Sequence, residues 1–164
     1  MNIRGLCVSE TNLSVWNGQQ AEVWALHDRE AVQISVHATA ARAMVFRDEY
    51  LFRAVGSEIQ QCNLQGRVTK KIPFSEGEGE PILLDVNNNF LAVATSLGLL
   101  KIFDLSRREK AGGASIDDAA SGAGKAGGIT GAPKQIGSSG KFVDAATGES
   151  LVEMRSIRVN AQGN

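Results

Sequence analysis

The feature that most constrains this chain is a repeat of roughly 40 residues that runs through residues 1–105. Gly18, Gly56 and Gly98 each stand in a turn between two apolar stretches, 38 and then 42 residues apart. A polar turn precedes each glycine, and a leucine closes the stretch that follows it. These leucines are Leu26, Leu64 and Leu105. Chance alternation in a β-sandwich would not keep this register, whereas a period of about 40–45 residues with four strands per unit is typical of a propeller blade.

Between these landmarks, apolar and polar residues alternate over short runs, which is the side-chain period of a β-strand. The runs are rich in Val, Ile, Leu and Phe, and turn-forming residues fill most of the gaps between them. The candidate strands are 3–9, 13–16, 21–26, 31–36, 42–46, 50–55, 58–64, 68–74, 81–86, 90–95, 99–105 and 153–159. The sequence therefore predicts an all-β fold, a partial β-propeller of about three four-stranded antiparallel blades.

A composition change divides the chain into three parts. Residues 1–109 hold the predicted blades, residues 110–140 are rich in Gly, Ala and Ser, and residues 141–164 regain a strand pattern as the start of a next blade. The middle part has few large apolar side chains, so burial of apolar surface cannot offset the entropy that the segment would lose on becoming ordered. We therefore predict a low-complexity, flexible insertion there. Because three blades do not close a ring, we expect the chain to be a fragment of a longer protein.

Composition excludes several classes of partner. The net charge of −1 offers no basic field for nucleic acid. No apolar run approaches the roughly 20 residues of a membrane span, and the N-terminus lacks the apolar segment of a signal peptide. Cys7 and Cys62 each lie in an alternating segment, which favours small buried thiols of a cytoplasmic protein. We therefore predict no nucleic-acid partner and no direct membrane insertion.

The chemical motifs are weak. The stretch SGAGKAGG (121–128) resembles the end of a phosphate-binding loop, but Lys125 is followed by Ala126, which has no hydroxyl for magnesium. His27 and His37 have no serine elbow to complete a triad. No Cys or His pair has the spacing of metal ligands. We predict no catalytic residue, no cofactor, no metal site and no small-molecule substrate.

The repeat unit resembles the WD repeat. Phe103-Asp104 is nearest to the Trp-Asp pair that closes a blade's third strand, whereas the other two repeats carry Trp24-Ala25 and Cys62-Asn63. Trp16 and Trp24 flank a hairpin, where they could bind a partner or pack between blades, and their strand pattern favours packing.

The stretch NNNFLAVATSLGLLKIFDLSRRE (87–109) resembles the propeller region of the intraflagellar transport protein 140 family, a WD-repeat and tetratricopeptide subunit of intraflagellar transport complex A. RSIRVNAQGN (155–164) also resembles the family's next first strand. The resemblance implies a non-catalytic scaffold in retrograde ciliary transport and cilium assembly. It implies other subunits of the transport complex as partners, and a location in the cytoplasm, the cilium or flagellum and its basal body.

The most specific part of the match is the run 103–109. Its candidate partner-contact residues are Phe103, Asp104, Arg107, Arg108 and Glu109. A structural role in the exit turn of the blade is favoured over direct contact. Two other functions remain open: a WD-repeat adaptor of a vesicle coat, a ubiquitin ligase or ribosome biogenesis, and a propeller enzyme. An enzyme would need convergent His, Asp or Arg side chains from several blades at its central channel.

Overall fold

The structure is a computed structural model that describes residues 2–108, 133–143, 146–148, 154–160 and 163. These residues form twelve strands and one short 3-10 helix, Glu76–Glu78. The strands are β1 (Gly5–Val8), β2 (Asn12–Trp16), β3 (Gln20–His27), β4 (Glu30–Ala38), β5 (Ala43–Arg47), β6 (Tyr50–Val55), β7 (Glu58–Cys62), β8 (Val68–Pro73), β9 (Pro81–Asn87), β10 (Phe90–Thr95), β11 (Leu100–Arg108) and β12 (Pro133–Ser138). The first eleven strands confirm the sequence prediction.

The strands form three four-stranded sheets, in the order β1-β2-β3-β4, β5-β6-β7-β8 and β9-β10-β11-β12. We call these sheets blade 1, blade 2 and blade 3. Every neighbouring pair is antiparallel, so each blade is an up-and-down meander in which consecutive strands lie side by side. The prediction of a partial propeller with three four-stranded antiparallel blades is confirmed.

The register of the strands repeats from blade to blade. Leu13 pairs with Trp24 in blade 1, Leu51 with Cys62 in blade 2, and Leu91 with Phe103 in blade 3. Residues directly opposite each other in antiparallel strands share one face of the sheet. We call the face that carries these pairs the front face of each blade, and the opposite one its back face.

The core lies between the blades. In the first cluster, three back-face residues of blade 1 pack against four front-face residues of blade 2: Trp16, Ala21 and Val23 meet Met44, Phe46, Leu51 and Cys62. In the second, the back face of blade 2 packs against the front face of blade 3: Phe52, Ala54, Ile59 and Ile72 meet Leu84, Leu91, Val93 and Phe103. Burial of each large side chain contributes about 1.5–3 kcal/mol, so this face-to-face packing stabilises the fold.

Polar groups are also buried where blade 1 meets blade 2. The Arg53 Nε donates a hydrogen bond to Gln60 Oε1 at 2.8 Å, and Gln60 Nε2 donates to Glu58 Oε1 at 2.6 Å. Arg53 Nη1 and both ring nitrogens of His37 are buried without a hydrogen-bond partner among the described residues. Burial raises the pKa of the Cys62 thiol, which keeps it protonated next to this cluster.

The structure corrects one boundary of the predicted insertion. The composition places residues 133–138 within the flexible segment 110–140, but they form β12 and pair with β11 from Lys101–Ser138 to Arg108–Pro133. An outer strand has one neighbour and half-exposed side chains, so its backbone hydrogen bonds hold it without an apolar pattern. Residues 110–132 lie outside the described part of the chain.

The last predicted strand, 153–159, is not formed in its described residues, 154–159. The Val159 N–H instead donates to Asp85 Oδ2 at 2.7 Å, and Asn87 Nδ2 donates to the Val159 carbonyl at 3.1 Å. Side chains of β9 therefore bind this backbone in place of a strand ladder. That residues 141–164 begin a next blade stays a prediction.

Candidate interaction surface

One end of the blades carries the turns that join the first and second strand of each blade. Asp48 and Asn88 enter these turns at φ 51° and 54°, a left-handed conformation that Asp and Asn tolerate better than most residues. The turns border a depression of about 420 Å³ that residues of all three blades line. The lining residues are Val8–Glu10, Phe46–Asp48 and Val86–Asn89. We call this end the turn face.

The guanidinium of Arg47 ties blade 2 to the turn of blade 3. Its Nε donates to the Asn88 carbonyl at 3.0 Å, and its Nη2 donates to Asn89 Oδ1 at 2.5 Å. The Asp48 carboxylate lies 3.8 Å from Arg47 Nε on the exposed side. Charge-assisted bonds of this kind hold a turn in one position, so the turn face presents fixed polar groups to solvent.

Strand β11 ends beside the same turns, since the Leu105 N–H donates to the Asn89 carbonyl at 2.7 Å. The Asp104 carboxylate is buried, and its Oδ1 accepts hydrogen bonds from the Ser106 amide at 2.9 Å and the Ser106 hydroxyl at 2.5 Å. Phe103 is buried and makes an edge-to-face contact with Phe74, with ring centroids 6.3 Å apart. Both side chains therefore belong to the interior of the blade.

The charged residues that follow lie at or beyond the end of this strand. Arg107 and Arg108 are the last two residues of β11, and Glu109 lies outside the described residues. Their contact with a partner stays a prediction.

The two tryptophans lie on opposite faces of blade 1. Trp16 is buried on the back face, where a Cβ added to Gly5 would stand 2.4 Å from its ring. Trp24 is half-buried on the front face, opposite Leu13. The structure therefore does not bring them together as an aromatic pair, and Trp16 packs between blades as the strand pattern favours.

A second depression, of about 390 Å³, lies at the opposite end between blades 2 and 3. Phe74 and Leu97 supply its apolar surface. The ammonium of Lys101 lies 4.9 Å from the centre of the Phe74 ring and pairs with Glu78. The hydrogen bond from Lys101 lowers the pKa of the Glu78 carboxyl, which keeps this rim charged.

Burial raises the pKa of the Cys7 thiol to about 12, which leaves it protonated and a poor nucleophile. Within the described ranges, no group of three His, Cys, Asp or Glu side chains could hold a metal ion. No helix in the part of the chain that the structure describes is long and apolar enough to cross a bilayer.

Four-stranded antiparallel sheets packed face to face, front against back, define the class of β-propeller proteins. Within this class, the chain belongs to the family of the IFT140 second beta-propeller, whose family model matches residues 1–122. The predicted family is confirmed.

The chain is also similar to solved structures, at low sequence identity. The chain is similar to the computationally designed Ika8 protein, with 14% identity over 63% of this chain and 33% of that one, at a TM-score of 0.51. It is also similar to Kluyveromyces lactis Hsv2, with 13% identity over 64% of this chain and 36% of that one, at a TM-score of 0.48. Similarity to Myxococcus xanthus glutaminyl cyclase has 12% identity over 63% of this chain and 48% of that one, at a TM-score of 0.47. The match thus spans a third to a half of each of these structures.

Proposed function

We propose that the chain is a non-catalytic scaffold of intraflagellar transport complex A that acts in retrograde ciliary transport and cilium assembly. The observation that carries this proposal is the match of residues 1–122 to the IFT140 second beta-propeller. Its partners are other protein subunits of the transport complex. It works in the cytoplasm and in the cilium or flagellum and its basal body.

The turn face is the proposed contact surface. Arg47 holds the turns of blades 2 and 3 together, so a partner would meet polar groups that are already ordered and would lose little entropy on binding. Glu10, Asp48 and Glu49 are exposed there. Strand β11 runs from the buried Phe103 and Asp104 to Arg107 and Arg108 toward the same end, and Glu109 follows in the sequence. This order supports a role for the run 103–109 in presenting charged groups to a partner.

Affinity purification of the tagged chain from ciliated cells tests the proposal. We expect subunits of the transport complex to be recovered with it. The Glu49→Lys variant reverses one exposed charge on the turn face, and we expect it to reduce that recovery several-fold. The matched control is Glu76→Lys, which reverses an exposed charge at the opposite end and should leave recovery unchanged.

Two outcomes contradict the proposal at different levels. Recovery of vesicle-coat, ubiquitin-ligase or ribosomal proteins without transport subunits would replace the ciliary role with that of a WD-repeat adaptor. Equal loss in Glu49→Lys and Glu76→Lys would leave the transport role standing but remove the turn face as the contact surface.

A further inference from the structure

Ser75 lies in the short segment that joins blade 2 to blade 3, between the end of β8 and the start of β9. The residue is exposed, although Phe74 immediately before it is buried. Its backbone is extended, at φ −74° and ψ 160°. Ser75 also lines the depression between blades 2 and 3. Its hydroxyl is therefore an accessible group at the boundary of two blades.

Carboxylates follow Ser75 at alternate positions. Glu76, Glu78 and Glu80 are the first, third and fifth residues after it. No other serine or threonine of the chain has an acidic residue at both the first and the third position after it. Kinases select substrates in part by such charge patterns, and Arg and Lys side chains bind the carboxylates. The surroundings of Ser75 therefore fit a protein kinase that is directed to acidic sites.

The structure leaves these carboxylates within reach of a kinase. Glu76 is exposed, and Glu80 belongs to an exposed ion pair, which contributes little to stability. Glu78 accepts a hydrogen bond from the Ser75 N–H at 2.8 Å and pairs with Lys101. The 3-10 helix that carries Glu78 has only three residues. Local opening of so short an element costs little, so the segment can adopt an extended conformation on a kinase.

We propose that Ser75 is a phosphorylation site for a protein kinase directed to acidic sequences, with ATP as the phosphoryl donor. The Ser75 Oγ attacks the γ-phosphorus of ATP, a new P–O bond forms, and the bond to the bridging oxygen of ADP breaks. The hydroxyl proton passes to the catalytic carboxylate of the kinase, and ADP leaves with the electron pair of the broken bond. This modification does not depend on the proposed transport role.

Phosphorylation would weaken a contact between blades 2 and 3. The phosphate adds about −1.5 to −2 charges to the residue whose N–H holds the Glu78 carboxylate. Repulsion between these like charges opposes the pairing of Glu78 with Lys101, whose ammonium lies 4.9 Å from the centre of the Phe74 ring. We therefore expect the phosphorylated chain to melt at a lower temperature than the unmodified chain.

Incubation of the purified chain with casein kinase 2, ATP and Mg²⁺ tests the proposal, and fragmentation mass spectrometry locates the phosphate. We expect phosphate on Ser75 and none on Ser57. Ser57 is the matched control residue, because it is exposed at the same depression and is followed by Glu58. It has Gln60 at the third position, where Ser75 has a carboxylate.

A charge-removing variant tests the recognition. Glu78→Gln keeps the shape of the side chain and should lower the rate of phosphorylation at Ser75 at least tenfold. Glu49→Gln, which removes an exposed charge on the turn face, is the matched control and should leave that rate unchanged. Rates are taken from the peptide that carries Ser75, because Ser115 is also followed by acidic residues.

Thermal unfolding compares the phosphorylated chain with a Ser75→Ala chain that has been treated with the kinase in the same way. We expect a decrease of a few degrees in the phosphorylated chain alone. Absence of phosphate on Ser75 overturns the proposal, and so does equal phosphorylation of Ser57 or an unchanged rate in Glu78→Gln. An unchanged melting temperature of the fully phosphorylated chain overturns the proposed effect on the contact between blades 2 and 3.

Discussion

The imidazole of His37, on the outer strand of blade 1, lies directly against the backbone of Gly66 in blade 2. A Cβ added at Gly66 would stand 2.3 Å from the ring carbon Cγ of His37. The two blades are therefore in close contact at a position where one of them has no side chain. Near this contact, Ser35 also joins the blades, since its hydroxyl donates to the Leu64 carbonyl at 2.6 Å.

Replacement of Gly66 by alanine should destabilise the fold by about 2–4 kcal/mol, because it combines a clash with His37 and a strained backbone at φ 80°. Urea unfolding measures the change. Gly56→Ala is the matched control, since Gly56 also has positive φ but no atom within 4 Å of an added Cβ. It should cost only about 1 kcal/mol of backbone strain. Equal losses would show that His37 moves aside freely.

Stability should fall as the pH drops below 6.5, because of His37. Desolvation, and then the charge of Arg53, lower the pKa of His37 below its ordinary value of 6.5. Below pH 6.5, His37 binds a proton in the unfolded chain but not yet in the folded chain. The free energy of unfolding therefore decreases as the pH falls, until the pH is below the pKa of His37 in the folded chain. Denaturant unfolding between about pH 7.5 and pH 5 measures this slope.

The charged groups around His37 separate this effect from others. Arg53 on β6 is the charged group that acts on the His37 ring. The hydrogen bond from Gln60, and then that from Lys71, lower the pKa of Glu58 from 4.5, so its contribution to stability is lost below that pH and not near pH 6. His37→Gln should flatten the dependence of the free energy of unfolding on pH above pH 5. His27→Gln, in the exposed β3–β4 hairpin, should leave that dependence unchanged. An unchanged slope in His37→Gln would refute the assignment.

Loss of the Arg47 guanidinium should loosen blade 3 from blade 2. Arg47→Ala removes two charge-assisted hydrogen bonds to the Asn88–Asn89 turn, and we expect it to lower the free energy of unfolding by about 1–2 kcal/mol. Thermal unfolding measures the effect. Arg29→Ala, in an exposed hairpin, is the control and should change stability by less than about 0.5 kcal/mol. Equal effects would mean that the bridge contributes nothing.

Phe103 and Trp24 hold the same position of the repeat but should respond differently to truncation. Phe103→Ala leaves a cavity between blades 2 and 3 and should cost about 3–5 kcal/mol. Trp24→Ala, on the front face of blade 1, should cost about 1 kcal/mol, because the side chain is only half-buried. Similar losses at the two positions would show that Trp24 is covered within the chain.

The blades could be predicted from local signals. Strand alternation, turn residues and the recurring glycines act over a few residues, so β1 to β11 follow from the sequence. β12 could not be predicted in this way, because a half-exposed outer strand such as PKQIGS needs only the backbone of β11 as its partner. The predicted strand 153–159 shows the reverse case. Its pattern is strand-like, but the side chains of Asp85 and Asn87 bind the Val159 backbone in place of a neighbouring strand.

The sequence by itself determined the blade class and the family, because both reside in repeat spacing and in residue identity along the chain. Tertiary structure alone decided which copy of each repeated position is buried. Phe103 and Cys62 lie beneath a neighbouring blade, while Trp24 at the same position remains half-exposed. Burial depends on the sheet that packs against a residue, and that sheet comes from a distant part of the chain.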